Sequence, residues 1–140
     1  MASTKQDLGV MMNYEEMSDF EINGYVAMLL HGFSWIEFMD GYHGSVKCGN
    51  DASPGFAIID VADYCNNPSD AWPIIIENKI RISPIMLMSD DNGEYMCTGE
   101  WEAGTLWDGC GAFYNSKYHE CKGENPLRAA MIVFLMMNEQ

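Results

Sequence analysis

The tightest constraint on this fold lies near the C-terminal end. Asn125-Pro126 is followed there by Leu127 to Met137, a stretch of helix-compatible apolar residues in which Arg128 is the one charge. Asn followed by Pro marks a helix start for a physical reason. The Asn side chain can accept from a free N–H of the first turn, and Pro at the first helical position gives up a hydrogen bond that would not have formed. The unbroken apolar run from Ala129 to Met137 has 9 residues, well short of the ~20 that a membrane span requires. A helix that is apolar almost all the way round has to be covered on several sides, under a sheet or in a subunit interface. Short strands offer little surface to cover it, so we expect a homo-oligomer that uses this helix.

At the other end, Ser18-Asp19-Phe20-Glu21 fits a capping box, in which hydroxyl and carboxylate each satisfy a free N–H. Phe20, Val26, Ala27 and Leu30, with Ile22, Tyr25 and Leu29 beside them, recur at three- and four-residue steps. This spacing predicts an amphipathic helix from Asp19 to Leu30, stopped at His31-Gly32. Residues 1–12 show no period and no apolar signal-peptide core. They are expected to form a frayed, flexible leader to one domain over 13–140. Dense glycine after Gly32 predicts short strands at Ser34 to Met39 and Ser45 to Cys48, while Phe56 to Val61 fits a strand or the entry to a short helix. Asn67 or Ser69 can cap a helix from Ser69 to about Glu77, provided Pro73 falls in its first turn. A strand from Lys79 to Leu87 then turns at Asp90-Asp91-Asn92-Gly93 into a second strand, Tyr95 to Glu102. Gly104 to Gly123 is loop-rich, with one further short strand around Gly111 to Tyr114. Helix, short and mostly antiparallel strands, and a buried C-terminal helix make a single small α+β domain.

Charge excludes several functions. The 140 residues include 21 acidic and 7 basic ones, a formal net charge of −14. Such a chain repels a polyanion, so direct nucleic-acid binding is not expected. Five scattered cysteines without a CxxC pair point to reduced thiols and a soluble, intracellular protein. The spacing of Cys110, His119 and Cys121 matches no zinc module, and no metal or cofactor is expected.

No nucleophile elbow, zinc-protease helix or phosphate loop is present. His31, His43 and His119 have too many carboxylates near them in sequence for any pairing to be informative, and Gly109-Cys110-Gly111 reads as loop. Asp60 with Asp63, and Glu100 with Glu102, read as solvated faces. The chain is therefore expected not to be an enzyme. Binding residues are better signalled. Arg128 in the first turn of a helix opposes the helix dipole and calls for a partner, either a protein carboxylate or a ligand phosphate. Lys79 and Arg81, two apart on one strand, would share a face. The helix start after Asn67-Pro68 already carries Asp70, and the simpler reading there is a capped structural helix with Trp72 in the core. Trp101, Trp107, Phe113, Tyr114 and Tyr118 crowd a glycine-rich region, where they offer stacking surfaces for a base or cap a small core. The candidate ligand site comprises Lys79, Arg81, Asn125, Arg128, Trp72, Trp101 and Trp107.

Three segments resemble the phage NinX-like family: Ser18 to Asn23, Asn67-Pro68 through Asp70-Ala71-Trp72-Pro73 to Ile80, and Asn125 to Leu135. They occur in matching order. The resemblance implies a small accessory protein of tailed phages or prophages, acting in the host bacterial cytoplasm, and it implies no activity. The leader before Met12 departs from the family's usual start. The expected function is non-enzymatic sequestration of a small nucleotide-like immune signal. The alternative is a protein-binding inhibitor whose acidic surface imitates nucleic acid or meets a basic host protein.

Overall fold

The computed structural model describes residues 5–6, 12–39, 41, 44–89, 91–105 and 119–139. Helix α1 (Asp19–Leu30) has the expected bounds. Its capping box is closed, with the Ser18 hydroxyl accepting from the Glu21 N–H and the Glu21 carboxylate accepting from the Ser18 N–H, both at 3.1 Å. Gly32, at φ +78°, takes the left-handed conformation that turns the chain away from the helix end.

The glycine-punctuated region forms an antiparallel meander of β2 (Trp35–Glu37), β3 (Ser45–Gly49) and β4 (Ala57–Asp60). The open choice at 56–61 is thus settled as a strand. A two-residue strand, β1 (Lys5–Gln6), pairs with the outer edge of β2, giving the sheet order β1-β2-β3-β4. The segment expected to be frayed therefore supplies two paired residues. A free strand edge recruits any extended backbone, whatever its side-chain pattern.

Helix α2 (Pro68–Glu77) starts at Asn67, whose side chain accepts from the Ser69 N–H at 3.0 Å. Because the helix begins at Pro68, Pro73 falls inside it and not in its first turn. Ala71, Ile74 and Ile75 are buried, whereas Trp72 is 55% exposed, so the reading of Trp72 as a core residue is corrected. Helical spacing explains the correction, since Trp72 and Ile76 share the outward face and Ala71 and Ile75 the inward one.

The second sheet contains β5 (Arg81–Met88), β6 (Tyr95–Gly104) and β7 (Glu120–Gly123), in that order and antiparallel. Lys79 lies ahead of β5 at φ +53°, in a tight turn, so the expected sharing of a strand face with Arg81 does not hold. The stretch containing β7 was expected to be loop. In the structure Cys121 is buried between exposed Glu120 and Lys122, an alternation too short to recognise without its partner strand. The short strand expected at Gly111 to Tyr114 lies outside the described residues.

Helix α3 (Pro126–Met137) packs on β6 and β7, on α1 and on α2. The layers run from the four-stranded sheet through α1 and α3 to the three-stranded sheet. Phe38 clamps α1 to its sheet, edge-on to Phe20 at 5.8 Å and to Tyr25 at 5.6 Å. Every residue from Ala129 to Leu135 is at most 6% exposed within the single chain. Two helices and a sheet of the same chain cover this helix, so the apolar stretch from which a homo-oligomer was expected is already buried within one chain.

Candidate functional site

Two of the three segments that carry the family resemblance, Ser18 to Asn23 and Asn125 to Leu135, meet the turn just ahead of the third in one polar network. Arg128 opens the first turn of α3, and its guanidinium donates to Asp19 in the first turn of α1 at 2.7 Å. The same group donates to the carbonyls of Tyr14 at 3.2 Å and Met17 at 2.5 Å, and so holds the 3-10 turn Tyr14–Glu16 against the helix pair. The partner required by a cation at a helix N-terminus is thus a protein carboxylate, itself well placed at the positive end of α1.

Asn125 serves two purposes. Its Oδ1 accepts from the N–H groups of Leu127 and Arg128 at 3.0 and 3.2 Å, which caps α3. Its Nδ2 donates to the Cys65 carbonyl at 2.8 Å and to Asn66 Oδ1 at 3.0 Å, which ties the cap to the turn preceding α2. Asn66 Nδ2 in turn donates to Asp19 and Asp63, each at 3.1 Å. Asn23, buried on α1, donates to Asp63 at 3.0 Å and accepts from the Cys65 N–H at 2.9 Å.

Burial pushes the Cys65 thiol up to about 12, with the nearby Asp19 carboxylate adding to the effect, so it stays protonated and is a poor nucleophile. Among the described residues no buried side-chain nitrogen or oxygen lacks a hydrogen-bond partner. The buried atoms of the network are satisfied from within, and the network acts as a brace between three segments of the chain.

Of the expected site residues, Asn125 and Arg128 belong to this brace. Arg81 lies on the other sheet, where its guanidinium donates to Glu102 at 2.8 Å and to the Ser83 hydroxyl at 3.0 Å. That hydrogen bond holds the Glu102 carboxyl below the usual carboxylate range. Trp101 is half-buried on β6, opposite Pro84 and Gly123. Trp72 faces outward on α2, and Lys79 is exposed. Trp107, with Cys110, Phe113, Tyr114 and Tyr118, lies outside the described residues, as does His43. Among the described residues no three His, Cys, Asp or Glu side chains are grouped so that they could hold a metal ion. Sequence reasoning missed Asp19, Asn23, Asp63 and Asn66 as members of the brace. Asn23 carried the one available signal, an amide between Ile22 and Gly24 in the inward stripe of an apolar helix.

The β5–β6 hairpin is the most exposed part of the second sheet. Pairing continues past the sheet body through Met86↔Cys97, Leu87↔Met96 and Met88↔Tyr95, where β7 no longer accompanies β6. These distal side chains are exposed, with Leu87 at 64% and Tyr95 at 66%. The end is closed by a tight turn in which Ser89 N–H donates to the Glu94 carbonyl at 2.6 Å and Gly93 N–H to the Ser89 carbonyl at 3.1 Å.

The structure defines a small α+β domain whose two N-terminally capped helices and one intervening turn are pinned by an arginine–carboxylate pair and three asparagines. The chain belongs to the Bacteriophage P22 NinX family, whose family model matches residues 13–138. Among solved structures, a phage protein from Bacillus cereus ATCC 14579 is similar at 15% identity over 94% of each chain, with a TM-score of 0.46. No curated protein sequence matches the chain significantly. No helix among the described residues is long and apolar enough to cross a membrane.

Proposed function

We propose that this chain is a non-enzymatic phage accessory protein that acts in the host cytoplasm by binding a basic host protein through its acidic surface. The observation that carries this reading is how the chain uses its scarce cations. Lys47 pairs with Glu37, Arg81 with Glu102, Lys122 with Glu120 and Arg128 with Asp19. Among the described residues, pairing inside the chain leaves carboxylates such as Glu15, Glu16, Asp51, Glu77, Asp91 and Glu94 exposed without a cation bridged to them. A surface of one sign steers a partner of the opposite sign and raises its association rate.

Sequestration of a phosphorylated nucleotide-like signal draws less support. Its two bidentate donors, Arg81 and Arg128, lie on different sheets or helices and each is already bonded to a carboxylate. A ligand phosphate would have to displace Glu102 or Asp19 before it gained a contact.

The test is cross-linking and co-purification of the tagged chain from infected cells, followed by affinity measurement with the purified partner at low and moderate salt. A basic partner whose association weakens steeply with salt is the expected result. Native mass spectrometry of the same preparation reads the competing possibility directly. A nucleotide travelling with the protein, and no salt-sensitive protein partner, would replace this reading with sequestration.

A further inference from the structure

Among the described residues the two sheets end in four edge strands, β1, β4, β5 and β7. An edge strand presents unpaired N–H and C=O groups, and proteins blunt it by brevity, proline, a bulge or lysine. Three of the four are blunted in this way. β1 has two residues, β5 carries Pro84 with a shift of register beside it, and β7 has four residues with Lys122 exposed among them. β4 has no proline, no lysine and no shift of register. It also exposes Ile58, with Phe56 exposed just ahead of it.

The free backbone groups of β4 follow from its pairing with β3. Val61 N–H donates to the Gly44 carbonyl at 2.9 Å, in the same register that sets Ser45 opposite Asp60. Bonded and non-bonded residue pairs alternate along an antiparallel ladder. Val46↔Ile59 and Cys48↔Ala57 are therefore the bonded pairs, and the N–H and C=O groups of Ile58 and Asp60 point to the open edge, with Phe56 next in the same phase. We infer that this edge is completed by β4 of a second copy, antiparallel about a two-fold axis at Ile58. Ile58 then exchanges hydrogen bonds with Ile58 of the second copy, and Phe56 and Asp60 of each copy face Asp60 and Phe56 of the other. The contact is isologous and closes at two copies.

Charge complementarity argues for a second copy and for this register. Phe56, Ile58 and Asp60 share the outer face of the sheet with Lys47, whose ammonium sits 4.1 Å from the centre of the Phe56 ring. The second copy's Asp60, facing Phe56, arrives beside that ammonium. In one copy Asp60 is exposed and has no cation bridged to it among the described residues. Lys47 also meets Glu37 at 3.5 Å, but an ammonium has three donors, and Glu37 stands on β2, three strands from the second copy's Asp60. Moving the axis to Ile59 would bring the two Asp60 carboxylates to diagonal positions, two residues out of step. Moving it to Ala57 would set Asp60 against Pro54, which has no N–H to give. Three facing pairs make a small interface, so the dimer belongs to the weak class. This inference does not rest on the proposed function.

The test is sedimentation of the full chain at moderate salt, which screens repulsion between two chains of net charge −14. From about 10 to about 500 µM, the range of weak association, the average mass is expected to rise toward twice the 15.8 kDa chain mass. Ile58→Pro is expected to stay at the monomer mass with an unchanged circular-dichroism spectrum, because proline is tolerated on an edge strand where the lost N–H faces solvent. Ile58→Lys, at an exposed position, is a second variant with the same expected result, since it sets two ammonium groups face to face. Register is read from Asp60→Asn, compared with Asp91→Asn at the β5–β6 turn as a control for net charge. Loss of two symmetric, half-exposed ion pairs should weaken dimerisation by about threefold to tenfold relative to that control. A wild type that stays monomeric throughout, a dimer indifferent to both Ile58 variants, or an Asp60→Asn dimer as tight as the control would each overturn the inference. So would a monomer that binds a host protein and loses it on Ile58→Pro, which would assign the edge to that partner's strand.

Discussion

The Arg128 guanidinium and the Asp19 carboxylate, 109 residues apart in the chain and 2.7 Å apart in space, join the first turns of α3 and α1. A cation at the start of α3 opposes that helix's dipole by a few tenths of a kcal/mol, while a carboxylate at the start of α1 is favoured by its own. The pair is retained because the guanidinium also holds the Tyr14 and Met17 carbonyls. Removing it leaves the Asp19 carboxylate and the carbonyls of Tyr14, Glu15 and Met17 to find other partners. Arg128→Ala should lower unfolding free energy by about 2 to 3 kcal/mol, as expected for loss of charge-assisted hydrogen bonds. Arg128→Lys should recover less than half of this, because an ammonium cannot span the same acceptors. Urea titrations of both variants measure the difference, and equal stability of Arg128→Lys and wild type would show that charge alone matters.

Asn125 lets the cap and the cross-link be separated. Asn125→Asp keeps an acceptor for the Leu127 and Arg128 N–H groups but loses the donor to Cys65 and Asn66. Asn125→Ala loses both. A cap alone is worth about 1 kcal/mol. Asn125→Ala should therefore be less stable than Asn125→Asp by about that amount, and Asn125→Asp should itself fall below wild type. Chemical denaturation of the three proteins checks the order, and an aspartate variant as stable as wild type would mean the cross-link contributes nothing.

What could be read from the sequence follows from where the information is stored. The capping box at Ser18 and the Asn-Pro starts at Asn67 and Asn125 are local chemistry, so all three helices were legible within a residue or so. β7 was not, because Glu120 to Gly123 becomes a strand only through pairing with β6. The outward face of Trp72 depends on which side of α2 meets α3, and hydrophobicity alone cannot supply that. In the site, Arg128's need for a counter-charge was visible, but its identity was not. Asp19 was one acidic residue among 21, and choosing it requires the packing of α1 on α3.

Gly49 is required where β3 passes beneath a tryptophan ring. A Cβ built at Gly49 would overlap the Trp35 indole, which sits directly across the β2–β3 pair. Trp35 is itself 8% exposed and has little room to swing aside. Gly49→Ala should destabilise by about 1 to 3 kcal/mol, the range for overpacking a closed site. Gly44→Ala, with open space around its position, should be close to neutral and serves as the control. Thermal melts of the two variants decide the matter, and similar midpoints would mean the ring moves freely.

The buried thiols make stability fall on the alkaline side. Burial pushes Cys48 from 9.0 up to about 11 and Cys65 from 9.0 up to about 12. In the unfolded chain both thiols lose their protons near 9.0, whereas the folded chain keeps them. The folded state thus binds more protons across the interval from 9.0 to about 11 or 12, and stability must decrease as pH rises through it. Below 9.0 both states are protonated and these groups add no pH dependence. Tyr14 and Tyr64 are likewise pushed up by burial, with Glu139 and Asp70 respectively adding to the shift, and they steepen the same slope at its upper end. Urea midpoints measured from about pH 8 to about pH 10.5 should be flat at first and then decline. Cys65→Ala should start lower, because it opens a small cavity beside Asn23, and should decline less steeply, because one of the retained protons is gone. A Cys65→Ala curve parallel to wild type throughout would show that this thiol is not held protonated by the fold.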